Sequence, residues 1–282
     1  MKRFMALLLT FGIFMGGVGF MSLNPVIAQE ATEGVDLPIF SDGKKYDLPE
    51  DNMYILDEKA EDVNGNGKVE KVYLLGKRYE DSLIYMENTY ILVEDSKESG
   101  YVVKLPEGRD CGYTPSMTLA DVNGDGAKDV MVALPTGGSG GIVGYFVYTL
   151  KDDKPELIFD SDNISVDING NFVDNYKAKL SIKDPKGIYD MTAVVDLKEK
   201  KEMYDELELY KDGKLINPQE VMQNPYGLIE LKDVDNDGIF ELEAYQAVKG
   251  TCNADGLAEV ITNWKWVDGS WEVIRLGIQK YR

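Results

Sequence analysis

Short apolar runs recur along the chain from Met53 onward, and glycine, asparagine or aspartate residues interrupt them. The runs are five to nine residues long and rich in valine, isoleucine, tyrosine and threonine, a composition typical of β-strands. Seven of them occupy residues 69–75, 89–93, 130–134, 142–150, 178–182, 242–247 and 260–267. This pattern predicts an all-β fold.

Turn signals between the runs indicate hairpins. Asn169-Gly170, Asp212-Gly213 and Asp268-Gly269 are dipeptides that accept the positive φ angles of a two-residue hairpin turn. Residues 197–209, LKEKKEMYDELEL, form the one stretch that predicts a short helix, and their charge density predicts a solvated face.

The first 28 residues have the pattern of a secretory signal peptide. A basic start is followed by an apolar stretch from Phe4 to Phe20, and Val26-Ile27-Ala28 fits a small-residue cleavage site. An uncleaved membrane anchor is the alternative, but the apolar stretch is short for a stable span. Residues 29–50 are polar and acidic and predict a lead-in, and residues 51–282 then form a single β-repeat domain.

The chain is strongly acidic, with a formal net charge of −20. Removal of the predicted signal peptide takes away two basic residues and no acidic ones, which leaves 28 Lys and Arg against 50 Asp and Glu. Such a surface repels nucleic acid and anionic lipid, and it attracts divalent cations. We therefore expect no nucleic-acid partner and, after cleavage, no membrane association.

Three nine-residue units share one pattern and are the most informative feature of the sequence. They begin at Asp62, Asp121 and Asp233 and read DVNGNGKVE, DVNGDGAKD and DVDNDGIFE. The starts are 59 and 112 residues apart, which suggests a period near 57 residues with one intervening unit whose loop has decayed. The segment 167–171 is the candidate remnant, and a plain hairpin turn is the alternative for it.

These units have the composition of calcium loops. A hard dication takes about six or seven oxygen ligands, and a tight loop supplies them from side chains at positions 1, 3 and 5 and a carbonyl at position 7. Glycine at position 6 allows the sharp reversal of the chain. An acid at position 9 completes each set. The candidate ligands are Asp62, Asn64, Asn66, Lys68 and Glu70; Asp121, Asn123, Asp125, Ala127 and Asp129; and Asp233, Asp235, Asp237, Ile239 and Glu241.

The position of the last acid excludes a helical EF-hand. An EF-hand needs a bidentate glutamate at loop position 12, and that position is Tyr73, Val132 and Ala244 in the three units. The acid at position 9 is followed at once by a β run, so the chain is predicted to leave each loop as a strand.

The combination resembles the FG-GAP and VCBS repeats, in which Asp-x-Asx-x-Asx-Gly-x-x-Asp loops lie in β-hairpins of propeller blades, as in the integrin α-subunit headpiece. The segment 119–132 is the best match. The whole chain also resembles exported proteins of Gram-positive bacteria that combine such repeats with a glycine-rich segment like residues 134–141. The resemblance implies bound calcium and a propeller-like domain of about four blades, with an irregular β-sandwich as the alternative.

Carboxylate number ranks the three loops as calcium sites. The loop at Asp233 offers four carboxylates, the loop at Asp121 three and the loop at Asp62 two, so affinity is predicted to fall in that order. We expect the metal to stabilise the fold because the sites are complete only in the folded chain. The alternative for each loop is a metal-free turn.

Enzyme activity has no support in the sequence. The chain contains no histidine, which excludes Ser-His-Asp and Cys-His catalysis and imidazole general bases. Ser139 lies in a formal G-x-S-x-G string, but a β run follows it where a nucleophile elbow requires a helix. A carboxylate-based polysaccharide hydrolase remains the enzymatic alternative.

If the units align on their metal loops, the segments that follow the next strand also align and are predicted to gather on one face. Close packing of the glycine-rich loop is the alternative to ligand binding there. The candidate ligand-binding residues are Arg78, Tyr79, Tyr85, Ser139, Asn253 and Asp255. Elsewhere, Cys111 and Cys252 are the two cysteines, and an exported chain allows them to form a disulfide or to remain free thiols.

These inferences predict a secreted, calcium-binding β-repeat protein that acts as a monomeric binding or scaffold module. Its expected location is extracellular, with cell-wall association as a further possibility. The expected partner is a glycan or an extracellular protein. The alternatives are the carboxylate-based hydrolase and a purely structural component of the wall or spore.

Overall fold

The computed structural model describes residues 37–40, 43–46, 48, 53–80, 82–96 and 99–281. The predicted signal peptide lies outside the described residues, as does most of the predicted acidic lead-in. Within the described part of the chain, no helix is both long and apolar enough to span a bilayer.

The chain begins with two antiparallel sheets. Sheet I consists of β1 (Ile39–Phe40), β2 (Met53–Glu61), β3 (Glu70–Arg78), β4 (Tyr85–Ser96), β5 (Ser99–Lys104) and β6 (Gly112–Tyr113). The first five strands lie side by side in chain order, and β6 pairs with β4. Sheet II consists of β7 (Ser116–Ala120), β8 (Asp129–Pro135), β9 (Val143–Thr149) and β10 (Glu156–Asp160), also in chain order.

The second half of the chain contains two further antiparallel sheets and a small hairpin. Sheet III consists of β11 (Asp167–Val173), β12 (Lys177–Lys183) and β13 (Asp190–Asp196). A short 3₁₀ turn (Lys198–Lys200) and helix α1 (Lys201–Glu206) lead to the hairpin of β14 (Tyr210–Lys211) and β15 (Lys214–Leu215). Sheet IV consists of β16 (Met222–Lys232), β17 (Glu241–Lys249), β18 (Gly256–Val267) and β19 (Ser270–Lys280).

Side-chain alternation directs the sheets onto shared cores. In β12 the buried residues are Ala178, Leu180 and Ile182, and the residues between them are more exposed, which is the period of two expected for a half-buried strand. The largest core joins sheets II, III and IV, and a second core joins sheets I and II. The all-β prediction is therefore confirmed.

Most of the predicted elements are present in the structure. All seven predicted runs lie in or largely overlap strands, and the one predicted helix corresponds to the 3₁₀ turn and α1. Asp212 and Gly213 have φ angles of 51° and 76°, and Asp268 and Gly269 have φ angles of 48° and 83°, as the hairpin turns require.

The prediction for Asn169-Gly170 is wrong. Both residues lie inside β11, where Gly170 is the register partner of Leu180. The hairpin turns further along, at Asn175 and Tyr176, whose φ angles are 65° and 54°. Because 167–171 is an extended strand, this segment also contains no remnant of a fourth metal loop.

Of the two alternatives for the cysteines, a disulfide or free thiols, the structure has the free thiols. Cys111 immediately precedes β6 of sheet I, whereas Cys252 lies in the turn between β17 and β18 of sheet IV. The two cysteines therefore belong to different sheets.

Candidate metal loops and binding cleft

Three loops connect the first and second long strands of sheets I, II and IV. We call them loop 1 (62–70, between β2 and β3), loop 2 (121–129, between β7 and β8) and loop 3 (233–241, between β16 and β17). The acid at position 9 of each loop is also the first residue of the strand that follows. The chain therefore leaves each loop as a strand, as the sequence predicted.

Loop 1 is closed by hydrogen bonds from the backbone to its own side chains. The Asp62 carboxylate accepts the N–H groups of Gly65 at 2.7 Å and Gly67 at 2.9 Å. The Asn64 side-chain oxygen accepts the Asn66 N–H at 3.0 Å. These bonds turn the backbone around the oxygen atoms of positions 1 and 3.

Loop 2 repeats this arrangement position by position. The Asp121 carboxylate accepts the N–H groups of Gly124 at 2.7 Å and Gly126 at 3.0 Å. In loop 3 the Asp233 carboxylate accepts the N–H groups of Asp237 and Gly238, both at 3.1 Å. The same residue types at the same positions therefore give nearly the same turn.

Two positions in each loop have left-handed backbone conformations. At position 6, Gly67, Gly126 and Gly238 have φ angles of 82°, 84° and 88°, as the sequence analysis expected. Position 4 is left-handed as well, with Gly65 and Gly124 both at 76° and Asn236 at 60°. Glycine and asparagine are the residues that tolerate this conformation best, so position 4 was a readable signal that the sequence analysis missed.

The three loops lie in one row, joined by backbone hydrogen bonds. The Lys128 N–H of loop 2 donates to the Asp62 carbonyl of loop 1 at 2.9 Å, and the Phe240 N–H of loop 3 donates to the Asp121 carbonyl of loop 2 at 2.8 Å. In each case position 8 of one loop bonds to position 1 of the loop before it. Loop 3 therefore follows loop 2 directly in space, although sheet III separates their sheets in the sequence.

The acid at position 9 is buried in every loop. Glu70 and Glu241 are 0% exposed and Asp129 is 1% exposed. One carboxylate oxygen of each accepts the N–H of the residue at position 2, which is Val63, Val122 or Val234. Burial of a carboxylate is unfavourable unless a positive charge compensates it.

Loops 1 and 2 contain no such compensation. In the described part of the chain, neither Glu70 nor Asp129 forms a salt bridge with a lysine or arginine side chain. Burial, with smaller contributions from the nearby Asp125 and Asp121 carboxylates, raises the pKa of Asp129 to about 7, although the hydrogen bond from the Val122 N–H acts to lower it. A bound cation would relieve both the burial cost and this repulsion.

Loop 3 differs because a lysine from β18 enters it. The carboxylates of Asp233, Asp235 and Asp237 converge so that one oxygen of each lies within 4.8 Å of the others. The Lys265 ammonium lies 2.7 Å from Asp235, 2.9 Å from Asp237 and 2.8 Å from the buried Glu241. Hydrogen bonds to these carboxylates, to Asp235 first, raise the pKa of Lys265 well above its ordinary value.

A cleft of about 680 Å³ lies at the opposite end of the strands of sheet I. It is bordered by the β3–β4 connection and by the segments next to β6 and β8. Three tyrosine rings form one side of it: Tyr79 and Tyr85 meet edge to face at 5.8 Å, and Tyr85 and Tyr113 meet at 4.8 Å. A hydrogen bond between the Tyr85 hydroxyl and the Cys111 thiol, together with burial, raises the pKa of Tyr85 to about 12, so the hydroxyl remains protonated.

Two of the loops predicted to gather on one face meet directly, and Tyr113 lies between the third, which contains Tyr85, and the glycine-rich loop. A Cβ atom on Gly137 would lie 2.2 Å from the Tyr113 ring, so the glycine-rich loop packs directly against the cleft. At its other end, the Asn253 side-chain amide donates to the Ser139 hydroxyl at 3.3 Å. Tyr79 and Tyr85 therefore line the cleft, whereas Ser139 and Asn253 pair with each other beside it.

Arg78 and Asp255 do not belong to the cleft. The Arg78 guanidinium lies over the Tyr54 ring, 4.2 Å from its centroid, on the neighbouring strand. The Asp255 side chain is 1% exposed and accepts hydrogen bonds from Lys200 at 2.8 Å and from Tyr204 at 3.0 Å. The prediction that Asp255 binds a ligand is wrong, because its carboxylate lies in the interior and its oxygens are already used.

Some residues that complete both sites were not predicted from the sequence. Tyr113, Cys111 and Thr136 line the cleft but lie outside the segments aligned on the metal loops. Lys265 enters loop 3 from a strand 24 residues beyond the last acid, between two tryptophans that are typical of a β core. For the cleft residues, the only sequence signal was the spacing of Cys111 and Tyr113. Lys265 could be assigned to loop 3 only from the register of the paired strands.

The fold and loops define a class of all-β proteins in which antiparallel sheets are joined along a row of aspartate-headed loops. A model of the YybI C-terminal domain matches residues 166–279, which contain sheet III, the small hairpin and almost all of sheet IV. The YybI protein of Bacillus subtilis (strain 168) is 31% identical over 207 residues, which cover 73% of this chain and 77% of that protein. The chain belongs to the YybI family.

One solved structure, described as that of a Xanthomonas type IV secretion system related protein, is 18% identical. The match covers 77% of this chain and 93% of that chain, with a TM-score of 0.28.

Proposed function

We propose that this chain is a calcium-stabilised binding module that acts outside the cell, with calcium in loops 1 and 2 and a glycan in the tyrosine-lined cleft. The observation that carries the proposal is the pair of buried acids, Glu70 and Asp129. Each is almost fully buried, and no salt bridge within the described residues compensates either one.

The residues of loops 1 and 2 fit a hard dication. Each loop offers side-chain oxygens at positions 1, 3, 5 and 9 and a carbonyl at position 7, which are the donors that calcium prefers. In loop 1 the ligands would be Asp62, Asn64, Asn66, Glu70 and the carbonyl of Lys68. In loop 2 they would be Asp121, Asn123, Asp125, Asp129 and the carbonyl of Ala127. Bound calcium would supply the positive charge that the buried acids lack.

The position of the loops supports a structural role for the metal. Loop 1 and the cleft lie at opposite ends of β3, and a nine-residue strand spans about 27 Å. A calcium ion in loop 1 is therefore too far away to contact a ligand in the cleft. It would instead stabilise the junction between sheets I and II, where the Lys128 N–H bonds to the Asp62 carbonyl.

We further propose that sheets I, II and IV are the blade units of a propeller-like arrangement. The repeated bond between position 8 of one loop and position 1 of the preceding loop supports this arrangement. Sheet III would then be an insertion packed on sheets II and IV, which share its core. The extracellular location is supported by the predicted signal peptide at residues 1–28.

The cleft suits a sugar ring. Its volume of about 680 Å³ lies within the range usual for small-ligand sites. Tyrosine rings present apolar faces that stack on the C–H faces of sugars, and their hydroxyl groups remain available for hydrogen bonds. Ser82, Asn88 and Thr136 add polar groups to the lining.

A glycan array with the full folded domain tests the cleft. The variant Tyr79→Ala removes a ring that is 46% exposed, so we expect normal folding and about tenfold weaker binding of any glycan that the wild type retains, close to 1.4 kcal/mol. The control is Tyr281→Ala, which removes a ring that is 40% exposed and lies outside the cleft. Equal glycan binding by Tyr79→Ala and the wild type would show that the cleft is not the glycan site.

A carboxylate-based polysaccharide hydrolase is the second candidate, because Glu87 and Asp110 both line the cleft. An assay of reducing-end release from the glycans that bind separates the two functions. Turnover that Glu87→Gln abolishes would favour the hydrolase, and binding without turnover favours the module.

A further inference from the structure

Loop 3 differs from loops 1 and 2 in one respect that decides its chemistry. We propose that the Lys265 ammonium takes the place of calcium in loop 3, so that loop 3 is not a metal site in the wild-type chain. This inference rests on the proposed function, in which loops 1 and 2 bind calcium.

The contacts of Lys265 are those that a cation in the loop would make. Its ammonium group reaches Asp235 at position 3, Asp237 at position 5 and Glu241 at position 9, all within 2.9 Å. The ammonium group donates hydrogen bonds to Asp235 and Asp237, and its contact with Glu241 is an ion pair without hydrogen-bond geometry. The lysine side chain is only 20% exposed, and its ammonium group supplies the positive charge that the buried Glu241 carboxylate needs.

Strand register shows why loops 1 and 2 lack this feature. In sheet IV, Leu242 pairs with Trp264, which places Lys265 across from Glu241. The same alignment in sheet II pairs Val130 with Tyr148 and places Thr149 across from Asp129. In sheet I it pairs Lys71 with Glu94 and places Asp95 across from Glu70.

The three corresponding positions are therefore lysine, threonine and aspartate. A positive side chain stands at this position only in loop 3, the loop with the most carboxylates. The acids of loops 1 and 2 face a neutral or an acidic residue, so no side chain at this position neutralises their charge.

Lys151 does not play the same part for loop 2. Its ammonium group donates to the Asp125 backbone carbonyl at 2.9 Å and lies 3.9 Å from the Asp125 carboxylate. It forms no salt bridge with Asp129 in the described structure. Lys151 therefore contacts loop 2 at Asp125 and lies against Gly65 of loop 1, and within the described residues the buried Asp129 has no cationic partner.

This assignment moves loop 3 from first to last in the affinity order predicted from carboxylate number. That count gave loop 3 the highest affinity because it omitted the lysine that already neutralises the loop. The assignment also predicts two kinds of junction between the sheets. The junction of sheets I and II would depend on calcium, whereas the junction of sheets II and IV would be stabilised by the Lys265 ammonium group.

Exchanging the residues at the corresponding positions tests the inference. Isothermal titration calorimetry with calcium should find two sites in the wild-type chain, three in Lys265→Thr and one in Thr149→Lys. Lys183→Thr, an exposed lysine on β12, is the control for the loss of a positive charge, and it should retain two sites. In chelator, Lys265→Thr should melt below the wild type, and calcium should restore its melting temperature because the metal then replaces the ammonium group.

Three calcium sites in the wild type, with no change in number or affinity in Lys265→Thr, would overturn the inference and leave the proposed function standing. No calcium site in the wild type would overturn the proposed function. In that case a single new site in Lys265→Thr would still support the role of the lysine, and the absence of one would overturn this inference as well.

Discussion

Replacement of Asp255 by alanine should lower the free energy of unfolding by about 3 to 5 kcal/mol, the usual effect of removing one partner from a buried ion pair. Its carboxylate holds Lys200 at 2.8 Å, the Tyr204 hydroxyl at 3.0 Å and the Thr251 N–H at 2.9 Å. Lys200 and Tyr204 lie on the helical segment between sheet III and the hairpin of β14 and β15. Asp255→Ala would leave the Tyr204 hydroxyl and the Thr251 N–H without this acceptor and Lys200 without its carboxylate, with only the Gly256 carbonyl remaining for its ammonium group. This loss would loosen that segment from sheet IV.

Denaturant unfolding monitored by circular dichroism measures the change in the free energy of unfolding, and a thermal melt with the same signal measures the change in melting temperature. At roughly 2 to 4 °C per kcal/mol for a chain of this size, the melting temperature should fall by about 10 °C. Glu199→Ala is the matched control, because its exposed pair with Lys280 contributes no more than about 1 kcal/mol. If Asp255→Ala kept wild-type stability and lost glycan binding, Asp255 would be a ligand residue after all.

The double variant Glu70→Gln/Asp129→Asn should lose the stabilisation that calcium gives to the wild type. Each substitution keeps the shape of the side chain and removes the charge that a metal would need at position 9 of loop 1 or loop 2. With calcium at about 100 times the dissociation constant, each site contributes about 2.7 kcal/mol, so two sites should raise the wild-type melting temperature by roughly 10 to 20 °C.

The same double variant should equal or exceed the wild type in stability when a chelator removes the metal. The reason is that two buried carboxylates without positive partners are replaced by neutral amides. Glu156→Gln/Asp268→Asn is the control, since it removes two exposed acids of the same types and should keep the full calcium response. A full calcium response in Glu70→Gln/Asp129→Asn would contradict the assignment of these two loops.

Local patterns predicted most of the strands and the loops themselves. The apolar run 130–134 and the glycine at position 6 of each loop depend on neighbouring residues alone, so the sequence was sufficient for them. The arrangement of the sheets was not readable in the same way. The spacing of the loops suggested a fourth unit between loops 2 and 3, but the Phe240 N–H bonds directly to the Asp121 carbonyl and sheet III packs to one side.

The residues that decide the candidate sites depend on contacts between distant segments. Lys265 faces Glu241 only because β17 and β18 pair in one particular register, and a shift by one residue would turn the lysine to the other face of the sheet. Tyr113 meets Tyr85 because the short strand β6 pairs with the start of β4. Asp255 resembled an exposed loop acid in the sequence, and only the packing of α1 against the β17–β18 turn shows it to be buried.

Isothermal titration calorimetry of the metal-free wild-type chain with calcium tests the central claim most directly. The two buried acids, which have no cationic partner among the described residues, predict two binding sites with dissociation constants in the range of roughly 10⁻⁵ to 10⁻³ M that is usual for extracellular modules. Both sites should disappear in Glu70→Gln/Asp129→Asn. A titration that shows no heat of binding, together with a melting temperature that is the same in calcium and in chelator, would contradict the account.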